Sequence, residues 1–328
     1  MLFRSLAAGC TIILEPSSVA LLNAFILAEV IDAAGLPLGV FNLVTGPGAK
    51  IGETLCLHPE VDMITVTGST AAGIQIAGLA AKGVKRVTLE LGGKSAAVIL
   101  DEADLPSAVK ATVNSWFLNT GQTCNASTRM LVPAASYPEV ARLAAAEAAK
   151  LTLGDPLADI RKLGPVISKS QRESVVGFIR KGTEEGAELV AGGPEPPEGL
   201  PKGWYVEPTI FGRVQPDATI AKEEIFGPVL AIMTHQDEEE AIRLANDSIY
   251  SLAGAVFSGS EERAVRVARR IRTGQIDING GPFNLQAPFG GFKQSGHGRE
   301  HGRVGLEEFL ECKALQFKVE KKPAPPTN

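Results

Sequence analysis

The sequence predicts an α/β fold in which short buried strands alternate with helices. Residues 10–92 place apolar runs and helical patterns in strict alternation, which favours right-handed crossovers and a parallel sheet covered by helices on its faces. The same rhythm restarts at residue 95 and continues to about residue 294. Because 328 residues exceed the usual size of a single core, we expect two or more domains.

The first half of the chain predicts four strands and three helices. The helix over 17–35 has Ser17 or Ser18 as its predicted N-cap and Gly35 just past its end. The predicted strands cover residues 10–14, 40–46, 62–68 and 86–93, and the other predicted helices cover residues 49–57 and 69–83.

The second half repeats the pattern and then changes character. Strands are predicted at 95–101 and 129–133, and helices at 104–118 and 136–149. A loop rich in proline and glycine, 191–203, interrupts the pattern, and we interpret it as an excursion inside a domain. Residues 313–320 alternate well enough for an exposed strand, and 321–328 are typical of a frayed tail.

Composition narrows the classes of partner. The net charge is −5, and the sequence has no block of like charges. This charge pattern does not indicate binding to nucleic acid or to an anionic membrane, so we expect a small molecule as the partner. The four cysteines lie far apart and have no histidine at metal-ligand spacing, which predicts a reducing compartment and no metal site. With no apolar run of about 18 residues either, we expect a cytoplasmic protein.

Glycine-bearing turns end several of the predicted strands. In an open parallel sheet, ligands bind beyond the carboxyl ends of the strands, where helix N-termini favour anions. In "TGSTAAG" (67–73), Thr67 ends a strand, Gly68 allows close approach and Ser69 can cap the helix. The turn "TGPGAKIG" (45–52) departs by one residue from a dinucleotide fingerprint. A nucleotide site and ordinary strand-to-helix turns both remain open.

Two residues could carry chemistry. Glu90 ends the apolar strand "VTLEL", where a carboxylate must be desolvated or face a cleft, and a raised pKa there makes a usable general base. A structural carboxylate is the alternative. Cys124, in "NTGQTCNASTR" (119–129), is either a nucleophile or a small residue filling the core, since most buried thiols are inert.

Four segments together resemble a known family. In order, "VTLELGGKS" (87–95), "NTGQTCNASTR" (119–129), "EEIFGPV" (223–229) and "PFGGFKQSGHGRE" (288–300) are similar to signature segments of the NAD(P)-dependent aldehyde dehydrogenase superfamily. The resemblance extends from about Leu6 to Val319. It implies the C-terminal part of an NAD-binding domain at 1–92, a catalytic domain at 93–294, and a C-terminal segment at 295–328 with an oligomerisation strand.

The resemblance also implies a reaction. Cys124 would attack an aldehyde to give a thiohemiacetal, oxidation would leave a thioester, and Glu90 would activate the water that releases a carboxylic acid. Relatives that transfer the acyl group to coenzyme A typically lack this glutamate, so hydrolysis is favoured. Glu300 matches an acidic position near the family's active site, with a supporting role. Trp116, Phe117 and Phe289 suggest a partly apolar aldehyde tunnel.

The resemblance further implies NAD as cofactor and a homodimer or homotetramer, through the strand at 313–320. The family's cofactor contacts fall on the turns, on the end of the strand before Gly92 and on "EEIFGPV". These residues are Glu15, Gly48, Gly52, Thr67, Gly68, Ser69, Gly73, Leu91, Gly92, Glu224 and Phe226.

Two departures from the family pattern matter. Glu15 stands where members usually carry lysine, and because a carboxylate would repel a 2′-phosphate, we expect NAD rather than NADP. The family also has an N-terminal segment, ahead of "LAAGC", that supplies sheet strands and an oxyanion donor. We therefore expect the cofactor domain to be incomplete and these 328 residues alone to be weakly active, inactive or poorly soluble. A catalytically silent relative and a coenzyme A-acylating enzyme remain the alternatives.

Overall fold

The structure, a computed structural model, describes residues 2–157, 163–200 and 202–318. Its strands are β1 Ile12–Leu14, β2 Phe41–Leu43, β3 Met63–Thr67, β4 Arg86–Glu90, β5 Ala96–Ile99, β6 Arg129–Pro133, β7 Glu188–Ala191, β8 Thr209–Gly212, β9 Val229–His235, β10 Gly254–Phe257, β11 Asp277–Ile278 and β12 Gly296–His297. Its helices are α1 Leu2–Ala7, α2 Leu21–Ala33, α3 Gly48–Leu57, α4 Thr70–Ala81, α5 Leu105–Phe117, α6 Tyr137–Ala148, α7 Lys169–Glu184, α8 Thr219–Lys222, α9 Glu238–Asn246, α10 Glu261–Ala268 and α11 Gly302–Glu307.

A seven-stranded sheet forms the centre of the larger part of the chain. Its strand order is β11-β10-β5-β6-β9-β8-β7, and every neighbouring pair is parallel except β7 with β8. The loop at 191–203 joins β7 to β8, which are adjacent in this sheet, so it is an excursion within one unit, as predicted.

Alternation along these strands directs side chains into two cores. Val98 and Leu131 face one core with Val175 of α7, and residues of α9 and α10 complete it. Ile99 and Met130 face the other, which contains residues of α5 and α6. The sheet is therefore covered on both faces by helices, which is why its strands are continuous apolar runs.

The prediction of one parallel sheet over residues 10–92 is wrong in detail. Strands β1 and β2 form a separate two-stranded parallel sheet, while β3 and β4 belong to a three-stranded sheet. The third strand of that sheet is β12, which pairs antiparallel with β4. Strand β12 contributes only Gly296 and His297, too short a run for alternation to be seen in the sequence.

One local prediction, the start of the first long helix, is also wrong. Helix α2 begins at Leu21, and its N-cap is Ala20 rather than Ser17 or Ser18. The carbonyl of Ser17 accepts the N–H of Ala20 at 3.0 Å, which closes a turn and delays the helix.

Residues 313–318 are not in a strand, and none of the described residues pairs with them as a β-partner. The rest of the predicted strand, 319–320, and the predicted tail, 321–328, lie outside the described residues. Across 2–157, 163–200 and 202–318, no helix combines the length and the apolar character that crossing a membrane would require.

Candidate active site

Three loops meet where β4 ends. They are residues 90–94, the segment 119–124 that follows α5, and the segment 223–228 that precedes β9. A Cβ on Gly93 would overlap the carbonyl of Cys124, and one on Gly121 would overlap the carbonyl of Gly227. These close backbone contacts hold Cys124 beside the end of β4 and hold its loop against the segment 223–228.

Strained backbone marks two of these loops. Asn119, Thr120 and Phe226 have φ values of 52°, 57° and 52°. These values lie in the left-handed region, which residues other than glycine rarely adopt. Such residues cost on the order of 1–3 kcal/mol each and persist only where surrounding contacts impose them. Here the hydroxyl of Thr120 donates to the carbonyl of Gly164 at 3.1 Å, and the carbonyl of Phe226 accepts from Gln171 at 2.9 Å.

Cys124 is half-buried between two acidic side chains. Burial raises the pKa of its thiol to about 11, and the negative charges of Glu90 and Glu224 add to the shift. Hydrogen bonding from the backbone N–H groups of Asn125 and Cys124 opposes it. The group is therefore a thiol at neutral pH, and it needs a base before it can act as a nucleophile.

Glu90 is the last residue of β4 and is 7% exposed. Burial raises the pKa of its carboxyl group to about 8, with a further increase from Glu300 and a decrease from Arg299. Among the described residues, its Oε1 has no hydrogen-bond partner. A carboxyl group with this pKa exchanges protons near neutral pH, which suits a general base.

Glu224 lies over the glycine pair that follows Glu90. Its Oε1 accepts the N–H of Gly93 at 3.1 Å, and a Cβ on Gly92 would overlap the carboxylate. Burial raises the pKa of Glu224, while the Gly93 N–H and Lys94 lower it. Glycine at position 92 is thus required for this carboxylate to lie where it does. Phe226, two residues on, is 39% exposed.

The turn after β3 forms a second group of predicted residues. Thr67 pairs with Glu90 across the sheet, and the N–H of Gly68 donates to the Glu90 carbonyl at 3.1 Å. Ser69 is the N-cap of α4, as predicted, and its hydroxyl accepts the N–H of Ala72 at 3.3 Å. Gly73 packs against Leu91, whose Cδ1 would lie 2.6 Å from an added Cβ. These residues are therefore joined to the end of β4.

A third group is attached to the two-stranded sheet. Glu15 follows β1, and its Oε1 would lie 3.2 Å from a Cβ on Gly48, at the start of α3. Gly52 has open space around it. Helix α3 packs against α4, but among the described residues no backbone ladder joins β1 or β2 to β3 or β4.

Sequence reasoning missed Lys94 and Arg4. Lys94 is 2% exposed, and its Nζ has no hydrogen-bond partner among the described residues. Burial lowers the pKa of Lys94 to about 7, Arg129 lowers it further, and Glu224 and Glu223 oppose the shift. Arg4 forms an ion pair with Glu300 at 3.2 Å. Lysine after "LELGG" could have been singled out as a charge beside a buried strand, but the Arg4 contact spans almost the whole chain and leaves no local signal.

The aromatic residues suggested for an aldehyde tunnel are mostly in the core. Trp116 and Phe117 are 0% and 3% exposed and belong to the core between the large sheet and helices α5 and α6. Phe289 is 8% exposed, and its ring lies 5.7 Å from that of Phe283, which is 45% exposed. No cluster of three or more candidate metal ligands was found within the described part of the chain.

The fold and this site together define a class of protein. The end of β4 brings together a half-buried thiol, a buried carboxyl group that titrates near neutral pH and the capped start of a helix. In an α/β protein these are candidates for a nucleophile, a general base and an anion contact. The model of the aldehyde dehydrogenase family matches residues 1–315. The chain belongs to the aldehyde dehydrogenase family.

Curated relatives agree with this assignment. The chain is 53% identical over 311 residues to a 3-succinoylsemialdehyde-pyridine dehydrogenase from a Pseudomonas species, covering 95% of this chain and 65% of the relative. It is 47% identical over 314 residues to a putative aldehyde dehydrogenase from Staphylococcus aureus MSSA476, covering 96% and 66%. The chain therefore spans just under two thirds of the length of these relatives.

Solved structures agree as well. Aldehyde dehydrogenase C of Pseudomonas syringae, solved as a cysteine-to-alanine mutant with NAD+ and octanal, aligns with a TM-score of 0.94 at 46% identity, covering 95% of this chain and 64% of that one. An aldehyde dehydrogenase of Mycobacterium tuberculosis, solved with NAD+, aligns with a TM-score of 0.91 at 43% identity, covering 96% and 67%.

Proposed function

We propose that the protein oxidises an aldehyde to a carboxylic acid with NAD, using Cys124 as nucleophile and Glu90 as general base. The observation that carries the proposal is the meeting of the Cys124 thiol with the buried carboxyl group of Glu90 and the half-buried one of Glu224, each close enough to shift the pKa of the thiol. Relatives named as aldehyde dehydrogenases, some solved with NAD+, support the same reaction class.

Cys124 and Glu90 have separate roles in the proposed reaction. Glu90, with a pKa of about 8, accepts the proton as the Cys124 thiol, with a pKa of about 11, adds to the aldehyde carbonyl. The product is a thiohemiacetal, and its oxidation leaves a thioester on Cys124. Glu90 releases its proton to solvent and then takes a proton from the water that hydrolyses this thioester, which releases the acid and restores the Cys124 thiol. Coenzyme A is not needed for that release.

The residues present fit NAD. An open space at Gly52, the capped start of α4 at Ser69 and the close approach of Gly73 to Leu91 form a surface suited to a pyrophosphate. When bound, NAD supplies the acceptor for the two electrons removed from the substrate. The residues proposed to hold it are Glu15, Gly48, Gly52, Thr67, Gly68, Ser69, Gly73, Leu91, Gly92, Glu224 and Phe226.

Glu15 supports NAD over NADP. Its carboxylate lies beside Gly48 at the start of α3, where it can accept hydrogen bonds from ribose hydroxyl groups and would repel a 2′-phosphate. A Glu15→Gln variant should improve the KM for NADP while leaving the KM for NAD within a few-fold. An unchanged preference for NAD over NADP in this variant would show that Glu15 does not set the cofactor preference.

The reaction is tested by following NADH absorbance with NAD and octanal, and by measuring octanoic acid without coenzyme A. We expect Cys124→Ala to abolish both signals and Cys312→Ala, which changes an exposed thiol, to leave both unchanged. Full NADH formation by Cys124→Ala would refute the proposal. Acid formation that requires coenzyme A would favour the acyl-transfer reaction instead.

A further inference from the structure

Arg4 is held in place on several sides. Its Nη2 lies 3.2 Å from Oε1 of Glu300, and the two side chains are only 16% and 21% exposed. Its Nη1 donates to the carbonyl of Arg299 at 2.8 Å and to that of Gly305 at 3.0 Å. The guanidinium carbon lies 5.5 Å from the centre of the Phe309 ring. A cation with this many partners has a defined position, unlike most exposed arginines.

Glu300 is fixed through its backbone as well. Its N–H donates to the Phe289 carbonyl at 2.6 Å, and its carbonyl accepts the N–H of Phe289 at 2.8 Å. The Glu300 carboxylate can therefore change its position mainly by rotation about the bonds of the Glu300 side chain. Among the described residues, Arg4 forms the ion pair with the Glu300 carboxylate.

Arg4 and Glu300 share a small cavity with Glu90. The cavity has a volume of about 10 Å³, close to the space for a single water. Both the α1 arginine and the proposed general base line this small space. The titratable and charged residues that line it are Arg4, Glu90, His297, Arg299, Glu300 and Glu308, and Cys124 and Glu224 are not among them.

We propose that Arg4 is a positioning residue that holds the Glu300 carboxylate beside Glu90 and thereby sets the pH at which Glu90 works as a base. The proposal rests on the proposed function for the role of Glu90 as the base. It assigns to α1, which carries none of the predicted site residues, an influence on the reaction.

The direction of the effect follows from the charges. Glu300 raises the pKa of Glu90, and Arg299 lowers it. Without Arg4, the Glu300 carboxylate would be partly buried beside another acid without its ion-pair partner, an unfavourable arrangement. It would rotate towards solvent, and this change removes negative charge from beside Glu90. The pKa of Glu90 should therefore fall when Arg4 is replaced.

A direct effect of Arg4 on Glu90 has the opposite sign. If the guanidinium acted only through its own positive charge, its removal would raise the pKa of the carboxyl group. If Arg4 only anchored α1 to α11, its removal would lower stability and leave the pKa of Glu90 unchanged. The sign of the shift therefore separates the three roles.

The test is a pH titration of Glu90 by ¹³C NMR on protein labelled at the glutamate Cδ, with the Glu90 signal assigned by its loss in Glu90→Gln. We expect Arg4→Gln and Glu300→Gln each to lower the pKa of Glu90 by roughly 0.5–1. The double variant should show little further change, because both substitutions remove the same carboxylate from its place. Arg4→Lys should retain most of the wild-type value.

Arg86→Gln is the matched control. Arg86 lies on the same strand as Glu90 and also bonds the C-terminal segment, through the Leu310 carbonyl at 3.0 Å and Glu311 at 2.9 Å, but it does not line the cavity. It should leave the titration unchanged. A rise or no change in the pKa of Glu90 in Arg4→Gln would overturn the proposal. Because NMR needs no turnover, an inactive protein would count against the proposed function and not against this result.

Discussion

The amino group of Lys94 lies buried in the protein, next to the candidate site. Its side chain is 2% exposed, and burial lowers its pKa to about 7 from an ordinary value of 10.5. Between pH 7 and about 10.5 the native protein therefore binds fewer protons than the unfolded chain, so its free energy of unfolding rises with pH over that range. Below pH 7 the full cost of keeping this lysine buried is present.

We predict that Lys94→Met raises the free energy of unfolding by about 1–4 kcal/mol at pH 7 or below, since it replaces a buried, unpartnered amine with an apolar chain of similar length. The gain should shrink as pH rises towards 10.5. Urea unfolding at several pH values measures it, with exposed Lys110→Met as the control. A gain that does not depend on pH would contradict this account of Lys94.

At the residue scale, Cys124 and Glu90 could be identified from the sequence, because each lies in a motif or differs from its neighbours in the chain. Glu90 stood out because a carboxylate ends an apolar strand. Arg4 did not stand out, because its partners, Glu300 and the Gly305 carbonyl, are about 300 residues away and nothing in "LFRSLA" indicates them. Contacts of this kind require the fold.

At the element scale, the glycine pair after β4 decides where Glu224 lies. A Cβ on Gly92 would overlap the Glu224 carboxylate, whereas one on Gly78, within α4, would meet nothing within 4 Å. We predict that Gly92→Ala raises the KM for NAD at least tenfold with little change in the melting temperature. Steady-state kinetics with NAD as the varied substrate provides the measurement.

Gly78→Ala is the control for that substitution. It should leave the KM for NAD unchanged and stabilise the protein by about 1 kcal/mol, because alanine is favoured over glycine inside a helix. An unchanged KM in Gly92→Ala would mean that the position of Glu224 does not matter for the cofactor.

The elements up to residue 149, except α1, could be predicted from pattern alone. The predicted strands and helices up to residue 149 correspond to β1 to β6 and α2 to α6, because each has a clear apolar period and a turn at its end. The N-cap of α2 could not be predicted, since a turn closed by the Ser17 carbonyl moves the helix start to Leu21. Strand β12 could not be predicted either, because two residues carry no periodicity.

At the scale of the molecule, the sheets differ greatly in burial. Strands β5, β8 and β10 are buried at every residue, and β9 at all but one. Strands β1 and β2 form an isolated pair that is intermediate or exposed throughout, with Ile13 45% exposed. Two-stranded sheets are marginally stable by themselves.

We predict that amide hydrogen exchange follows this division. Amides of β5, β6 and β9 should exchange slowest, because their exchange requires global unfolding. Those of β1 and β2 should exchange faster, by local opening. Peptide-level mass spectrometry under native conditions resolves the two groups. Equal protection of β1 and β5 would show that the two sheets open together.

The grouping of strands into sheets was the part of the fold least accessible to sequence. Alternation of strand and helix over residues 10–92 predicts parallel neighbours, but it does not say which strands are hydrogen-bonded to each other. The antiparallel return of β12 onto β4 joins the C-terminal segment to the sheet that carries Glu90. That pairing places Glu300 near Glu90, so the electrostatics of the site depend on the topology of the whole molecule.

The central claim, that Cys124 forms the covalent intermediate and Glu90 releases it, is tested most directly in the Glu90→Gln protein. After a long incubation with NAD and octanal, peptide mass spectrometry should find an octanoyl group on Cys124. This group should form slowly, because the base for the thiol is also lost, with up to one equivalent of NADH formed and no sustained turnover. An octanoyl group on another cysteine, or sustained turnover by Glu90→Gln, would contradict the account.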